Sequence, residues 1–234
     1  MSRPLQRMFT EVPHHYDLIN SVITWGLDRR WRKRAAEECL KYKPQKVLDL
    51  CCGTGDLAIT LCRIGGSGVN VVGIDYSPPM LERARQKASS LAESGCASFI
   101  HGDAACLPFP DAFFDSVGIS FAFRNLTYKN PLAVKHLTEV RRVLTAGGRY
   151  VIVETSQPES GLIRGIFHHY LRWFVRHAGF LLSGNKGAYN YLAESAANFY
   201  NAEEIKDMLL KAGFQEVWHL PLFFGAAGIH IAVK

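Results

Sequence analysis

The sequence predicts an α/β fold, with a mostly parallel sheet of seven strands, helices on both faces and an antiparallel hairpin at the C-terminal end. Short apolar runs alternate with amphipathic helical segments between residues 46 and 154. A glycine-rich turn follows the first apolar run, and two strand-like segments separated by a short gap end the chain. At 234 residues, the chain fits one large domain, residues 1–234.

The predicted elements begin with a basic helical segment, residues 1–43, which Pro44 closes. Strands are then predicted at residues 46–50, 70–75, 97–101, 114–121 and 149–154. Helices are predicted between them at residues 56–63, 77–92 and 131–144. Ser77 supplies an N-cap hydroxyl for the second of these helices, and Pro78 suits its first helical position.

The alternation stops after residue 156, where an aromatic and basic helical stretch begins at residues 161–182. We interpret residues 157–200 as an inserted lid over the carboxyl ends of the strands. A capped helix is predicted to begin at Asn201 and to end near Gly213. Two strands, residues 215–222 and 226–233, then form the final hairpin.

The turn after the first strand is the strongest functional signal of the chain. It contains Gly53, Thr54 and Gly55, and glycine lets the backbone turn tightly and approach a ligand because it has no Cβ. Such turns usually hold a nucleotide-like cofactor. The residues also fit the dinucleotide fingerprint, and Asp75 follows about 20 residues later, where an acid binds a ribose in either case. A turn that merely joins strand to helix is a third interpretation.

Charge separates the cofactor interpretations. A dinucleotide places its pyrophosphate at the helix N-terminus, where backbone N–H groups favour an anion. Here Asp56 occupies that position, and Asp49 lies in the strand just before the turn. Two carboxylates suit a cationic ligand better than a pyrophosphate. The pattern therefore favours S-adenosylmethionine, a sulfonium with an α-ammonium group, and disfavours a dehydrogenase.

The composition, 48% hydrophobic and 21% charged, is typical of globular proteins. Residues 1–10 lack the apolar core of a signal peptide, and no run of about 18 apolar residues follows, so we expect a soluble, cytoplasmic protein. The six cysteines form no C-x-x-C pair, which predicts reduced thiols and no metal site.

The net charge of +6 is concentrated at residues 29–34 and 164–176. Solvated helix faces explain such clusters most simply, while nucleic acid or an anionic membrane surface would also suit them. The sequence has no RNA-recognition, zinc-finger or basic-zipper signature, so nucleic acid is not expected as a partner.

Several motifs resemble the signatures of the UbiE-type ubiquinone/menaquinone biosynthesis C-methyltransferases. They are YDLIN at residues 16–20, TWGLDRRW at 24–31, GDAACLPFPD at 102–111, ISFAFRN at 119–125, RVLTAGGR at 142–149, ETS at 154–156, YLAES at 191–195 and GIH at 228–230. The resemblance covers nearly the whole chain. It implies a class I methyltransferase (Rossmann-like) fold and S-adenosyl-L-methionine as the cofactor.

The resemblance also implies a reaction, methylation of a ring carbon of a prenylated quinol that is demethylmenaquinol-like or ubiquinone-precursor-like. A methyltransferase acting on another lipid or small aromatic acceptor is the alternative, and a non-catalytic partner of a biosynthetic assembly is a more distant one. The sequence departs from the family pattern at Ile19, Asp28, Thr145, Ala146 and residues 198–200. These departures concern the acceptor more than the cofactor.

The resemblance assigns the cofactor-binding residues. Thr54, with Gly53 and Gly55, should contact the methionine part, near Asp49. Asp75 should accept hydrogen bonds from both ribose hydroxyls, as a carboxylate can. In addition, Asp103 should accept from the adenine amino group, Ala104 should face the ring with its N–H, and Ser120 should lie near the sulfonium.

The same resemblance implies Arg124, Asn125 and Tyr16 as catalytic residues. A guanidinium does not lose its proton in proteins, so Arg124 would position a water and stabilise a developing phenolate. Asn125 and Tyr16 would orient it. His14 and His15 are alternative bases.

The expected partners are a prenylated quinol or another small aromatic substrate, an anionic membrane surface in peripheral contact, and a second copy of the chain in a homodimer. A stripe at helical spacing bears on the membrane: Ile163, Ile166, Phe167, Tyr170, Leu171 and Phe174, with Arg164, Arg172 and Arg176 around it. Core packing explains such a stripe. A lid that accepts a polyprenyl tail and touches the membrane explains it equally well.

Overall fold

A seven-stranded sheet forms the centre of the computed structural model, which describes residues 21–89, 95–175, 177 and 186–234. Its strands are β1 (Lys46–Leu50), β2 (Asn70–Asp75), β3 (Ala97–His101), β4 (Phe114–Ser120), β5 (Leu144–Thr155), β6 (Glu216–Leu222) and β7 (Ala227–Val233). Their order across the sheet is β3-β2-β1-β4-β5-β7-β6. Strands β1 to β5 pair in parallel, and β7 pairs antiparallel with β5 and β6. The predicted fold class is confirmed.

Helices cover both faces of this sheet. Among the described residues they are α1 (Leu27–Leu40), α2 (Asp56–Gly65), α3 (Pro78–Ser89), α4 (Phe123–Thr127), α5 (Ala133–Val143), α6 (Gly161–Tyr170), α7 (Lys186–Ala197) and α8 (Ala202–Lys211). Val47 packs with α1, α2 and α3, whereas its neighbour Leu48 packs with α5 and α8. Successive strand residues point to opposite faces, so one buried strand supplies both cores.

Two elements near the carboxyl ends of the strands differ from the sequence prediction. The short helix α4 was not predicted. It begins just after Phe121, which was predicted as strand but has a positive φ of 56° and turns the chain out of β4. Strand β5 begins earlier than predicted. Leu144 pairs with Phe114, and the register then shifts so that Arg149 pairs with Ser116.

The final hairpin contains a stacked pair of histidines. The rings of His219 and His230 lie across from each other on β6 and β7, with centroids 4.6 Å apart. Gly228 leaves room for the His219 ring, which a Cβ at that position would strike. The GIH motif at residues 228–230 therefore has a packing explanation.

The inserted segment has its own small core in its described part. Helix α6 continues into a π-helical turn, Leu171–Val175, and these elements pack against α7. Phe167, Tyr170 and Leu171 of the predicted stripe face this core, whereas Ile166 is exposed. Arg176 and residues 178–182 of the predicted helix lie outside the described residues. Within the described ranges, no helix is both long and apolar enough to cross a membrane.

The prediction that the cysteines are reduced is wrong for one pair. Cys62 at the end of α2 and Cys96 before β3 form a disulfide, with their Cα atoms 5.8 Å apart. The fold brings these positions together although 34 residues separate them, a distance at which no spacing motif signals a bridge. Cys39, Cys51, Cys52 and Cys106 are free.

Loss of this disulfide should lower thermal stability. We expect Cys96→Ser, or full reduction, to cost roughly 3–4 kcal/mol because the unfolded chain then gains the freedom of the opened loop. In a chain of this size that corresponds to a fall in melting temperature of roughly 6–16 °C, measured by calorimetry. Cys106→Ser, at an exposed free cysteine, is the control and should melt like the parent. Equal melting of the oxidised and reduced protein would contradict the expectation.

Candidate active site

The turn between β1 and α2 is shaped by left-handed backbone at Cys51, Gly53 and Gly55, with φ of 54°, 53° and 81°. Gly55 also packs closely, because a Cβ there would lie 2.9 Å from that of Ala84 and 3.0 Å from the Phe99 ring. A Cβ at Gly53 would meet nothing within 4 Å and would point into open space. Cys51 is the strained member, since a side chain in this region costs free energy that functional sites often store.

The carboxylate of Asp75, at the end of β2, holds this turn in place. One oxygen accepts the Gly53 N–H at 2.8 Å, and the other accepts the Ser77 N–H at 2.8 Å. Burial raises the pKa of Asp75, and these backbone donors oppose the rise. Each carboxylate oxygen keeps a second lone pair, which a ribose hydroxyl could use.

A cavity of about 390 Å³, its open mouth included, lies beside Asp75 at the carboxyl ends of the strands. Its lining combines carboxylates with apolar walls: Leu50, Cys51, Ile74, Asp75, Tyr76, Gly102, Asp103, Ala104, Leu126 and His136. Asp103 accepts the Ala105 N–H at 2.9 Å, which fixes its side chain in the turn after β3. Carboxylates that accept hydrogen bonds, beside apolar walls, have the chemistry that suits the hydroxyls, amino group and ring of an adenosine.

Asp49 lies deeper, 1% exposed, at the base of the turn. It accepts the Ala58 N–H of α2 at 2.8 Å. Burial raises the pKa of Asp49 to about 8, against the opposing effects of the Ala58 hydrogen bond and of Arg32. The carboxyl group is therefore largely protonated at neutral pH, unless a cation binds beside it.

Arg32 of α1 changes the interpretation of the charges around the turn. Its guanidinium lies 3.2 Å from Asp56 and 3.2 Å from Asp28, and Asp56 is also paired with Lys87. Asp56 is thus neutralised by two side chains of the protein. The premise that its carboxylate awaits a cationic ligand is wrong, because the fold brings both cations to it from helices distant in the sequence.

The same contacts explain a departure from the family pattern and place two predicted residues. Asp28, one of the departures from that pattern, is buried and ion-paired with Arg32, a contact that needs an acid at this position. Ser120, at the end of β4, accepts the Arg32 Nε–H at 3.1 Å. The buried Thr54 hydroxyl accepts from Lys87 at 3.1 Å, so its side chain faces α3.

Arg124 and Asn125 lie on α4, immediately beyond the end of β4, and both are buried. The Arg124 guanidinium donates to Glu154 at 3.1 Å and to Thr155 at 2.8 Å. Its Nε–H has no hydrogen-bond partner among the described residues, although it is buried. A buried donor without a partner is costly and suggests that a water or ligand supplies the acceptor.

Three further residues lie at the site without having been predicted there. Arg32 contacts the turn, His136 lines the cavity, and Tyr191 lies close enough to Arg124 for that charge to lower its phenol pKa against the larger rise from burial. Only Tyr191 stands in a recognised motif. The predicted Tyr16 and the alternative bases His14 and His15 lie outside the described residues.

The raised pKa of Asp49 should make stability depend on pH. A carboxyl group whose pKa is higher in the folded than in the unfolded state stabilises the fold at low pH and loses this contribution as pH rises through its folded pKa. We expect a loss of roughly 2–3 kcal/mol between about pH 6 and about pH 9. Asp49→Asn should remove this part of the pH dependence, measured by denaturant unfolding at each pH.

Asp207→Asn, at an exposed aspartate on α8, serves as the matched control and should keep the parent's pH profile. Parallel profiles for the parent and Asp49→Asn would contradict a raised pKa at this position.

Comparisons with known proteins agree with this geometry. A protein named demethylmenaquinone methyltransferase from Thermus thermophilus is 42% identical over 96% of this chain and 98% of its own length. One of the same name from Deinococcus radiodurans is 43% identical over 98% of this chain and 92% of its own.

Solved structures show the same fold. A SAM-dependent methyltransferase from Aquifex aeolicus matches with a TM-score of 0.59 at 19% identity, over 85% of this chain and 88% of that one. The PH0226 protein from Pyrococcus horikoshii matches with a TM-score of 0.59 at 24% identity, over 86% of this chain and 90% of that one.

The model of the ubiE/COQ5 methyltransferase family matches residues 2–234. With the sheet order, the glycine turn and the cavity beside Asp75, this match confirms the predicted resemblance and S-adenosylmethionine as the cofactor. The chain belongs to the ubiE/COQ5 methyltransferase family.

Proposed function

We propose that the protein transfers a methyl group from S-adenosylmethionine to a ring carbon of a demethylmenaquinol-like prenylated quinol. The observation that carries this proposal is similarity along the whole chain to proteins named demethylmenaquinone methyltransferase. Such similarity favours this acceptor over a ubiquinone precursor and over another lipid or small aromatic molecule.

The proposed cofactor site consists of the cavity and the glycine turn beside it. Asp75 would hold the ribose, and Asp103 with Ala104 would hold the adenine, since all three line the same space. Gly53, Gly55, Asp49 and Ser120 would surround the methionine part. Thr54 would act through its backbone, because its side chain is turned toward Lys87.

The chain's own residues would govern acceptor activation. S-adenosylmethionine supplies an electrophilic methyl group when bound, so alignment and exclusion of water should account for much of the rate. A quinol carbon becomes a good nucleophile once a neighbouring hydroxyl loses its proton. The fixed charge of Arg124 would stabilise the resulting phenolate. Asn125 beside it, together with Tyr16, would orient the water that Arg124 positions.

The inserted segment, residues 157–200, and the N-terminal segment, residues 1–43, would cover the acceptor. Trp31 of α1 packs near Phe121, with ring centroids 6.2 Å apart, and Arg32 reaches Ser120, which supports this placement for the described part of the N-terminal segment. Tyr191 of α7 approaches Arg124 from the lid. Cytoplasmic location and a homodimer stay predictions.

Methyl transfer tests this proposal directly. We expect labelled S-adenosylmethionine to transfer its methyl group to a prenylated demethylnaphthoquinol under reducing conditions, and more slowly to benzoquinols of the ubiquinone series. Arg124→Lys keeps the charge beside Glu154 but loses the planar donors, so it should retain cofactor binding and lose turnover by roughly 100-fold. Quinone mass spectrometry and calorimetric titration measure the two effects.

Arg149→Lys is the matched control, because Arg149, in the middle of β5, is another buried arginine paired with a glutamate, Glu38. It should lower stability without changing turnover per bound cofactor. Cofactor binding without transfer to any quinol would defeat the acceptor proposal, and equal loss of binding and turnover in Arg124→Lys would defeat the role of Arg124.

Peripheral membrane contact is proposed from the outer side of the lid. Leu162, Ile166 and Trp173 are exposed there, beside exposed Arg164 and Arg172. Apolar side chains among arginines suit the interface of an anionic bilayer, where a prenylated acceptor would reside.

Vesicle sedimentation should detect this contact. We expect binding to phosphatidylglycerol vesicles that weakens with salt, and little binding to phosphatidylcholine alone. The double variant Ile166→Glu with Trp173→Glu should lose most of the binding. Val134→Glu, at an exposed apolar residue of α5, should bind like the parent. Absence of salt-sensitive binding would remove the membrane proposal.

A further inference from the structure

The imidazole of His136 forms part of the wall of the cofactor cavity, although no recognised motif includes it. It lies on α5, 2% exposed, and shares the cavity with Asp103, Ala104 and Leu126. A histidine in such a place is either a packing residue or a ligand contact. The hydrogen bond of its Nδ1 atom decides whether its Nε2 atom is a hydrogen-bond donor or an acceptor.

The tautomer of His136 follows from its contact with the backbone. Its Nδ1 lies 2.9 Å from the carbonyl oxygen of Leu126. Because a carbonyl oxygen only accepts, Nδ1 must carry a proton and donate it. Burial lowers the pKa of His136, which keeps the ring neutral near pH 7. In a neutral ring with a proton on Nδ1, Nε2 carries a lone pair and acts as an acceptor.

The Nε2 atom of His136 has no hydrogen-bond partner among the described residues. It is also not among the polar atoms of those residues that are sealed away from solvent. It therefore reaches the open space of the cavity. Among the described residues, the charged groups acting on the ring are Asp103, which lines the same cavity, and Lys135, on the same helix.

We propose that His136 recognises the adenine amino group of the cofactor, accepting one of its two N–H bonds at Nε2 while Asp103 accepts the other. Two acceptors would then select a purine that carries an amino group, and would repel an oxo-purine, whose carbonyl oxygen only accepts. The inference rests on the cofactor and on the proposed place of its adenine. It does not depend on the methyl acceptor.

Two substitutions separate recognition from packing. Asparagine can place an N–H where Nδ1 donates to Leu126 but has no atom at the position of Nε2. Glutamine can place an oxygen near Nε2 but loses the Leu126 contact. For S-adenosylhomocysteine, which needs no acceptor substrate, we expect His136→Asn to raise the Kd by roughly 2- to 10-fold, the effect of one neutral hydrogen bond. His136→Gln should stay within about twofold of the parent.

The inosine analogue S-inosylhomocysteine completes the test, because its base carries a carbonyl in place of the amino group. Preference for the adenosine ligand, measured by calorimetric titration, should fall in His136→Asn by about the same factor as affinity. His169→Asn, at an exposed histidine of α6, should change neither value.

Parent-like affinity and preference in His136→Asn would overturn the proposal. So would equal losses in both His136 variants with parallel falls in melting temperature, since that result would assign His136 to packing. Tight binding of S-adenosylhomocysteine without methylation of any quinol would instead count against the acceptor alone, so the two proposals can fail separately.

Discussion

Buried carboxyl groups that accept backbone N–H groups hold together the edge of the sheet where the site forms. Asp49 accepts from Ala58, Asp75 accepts from Gly53 and Ser77, and Glu154 accepts from the N–H groups of Arg124 and Thr155. Asp49 and Asp75 each fix the turn or helix that follows their own strand, whereas Glu154 of β5 fixes α4, the helix that follows the neighbouring strand β4. Hydrogen bonds offset the free-energy cost of burying these groups, and they leave the loops little freedom. The cavity, the glycine turn and the position of Arg124 all depend on this arrangement.

Much of this fold could be predicted from the sequence, because its signals are local. The bounds of β1, β2 and β3 agree with the prediction, since each is a short apolar run ended by a glycine turn, a capped helix or a polar turn. Features that depend on distant residues could not be predicted. Arg32 reaches Ser120 across 88 positions, and Cys62 meets Cys96 across 34. Helix α4 escaped prediction because its five residues are too few to show a helical period.

The cofactor was predicted correctly from a charge argument, but the structure changes one premise of that argument, the free charge of Asp56. Asp56 is balanced by Arg32 and Lys87, so it is not a free anion at the helix N-terminus. It still disfavours a pyrophosphate, because that position is already filled by an ion-paired side chain. Asp49 remains the acid whose charge a cationic ligand could change, since its burial leaves it largely protonated. The residue types indicated the right cofactor chemistry here, but only the ion-pair partners of each acid show which one is available to a cationic ligand.

The disulfide has a consequence for how the site opens. Cys62 and Cys96 close a ring that contains β2 and α3, and therefore Asp75. A segment closed at both ends gains less conformational freedom when it detaches than an open chain does. Local opening of the segment that carries Asp75 is thus restrained independently of the rest of the sheet, and amide exchange there becomes coupled to the redox state of the surroundings. Under reducing conditions the cofactor edge would fluctuate more than the β5–β7–β6 side of the same sheet.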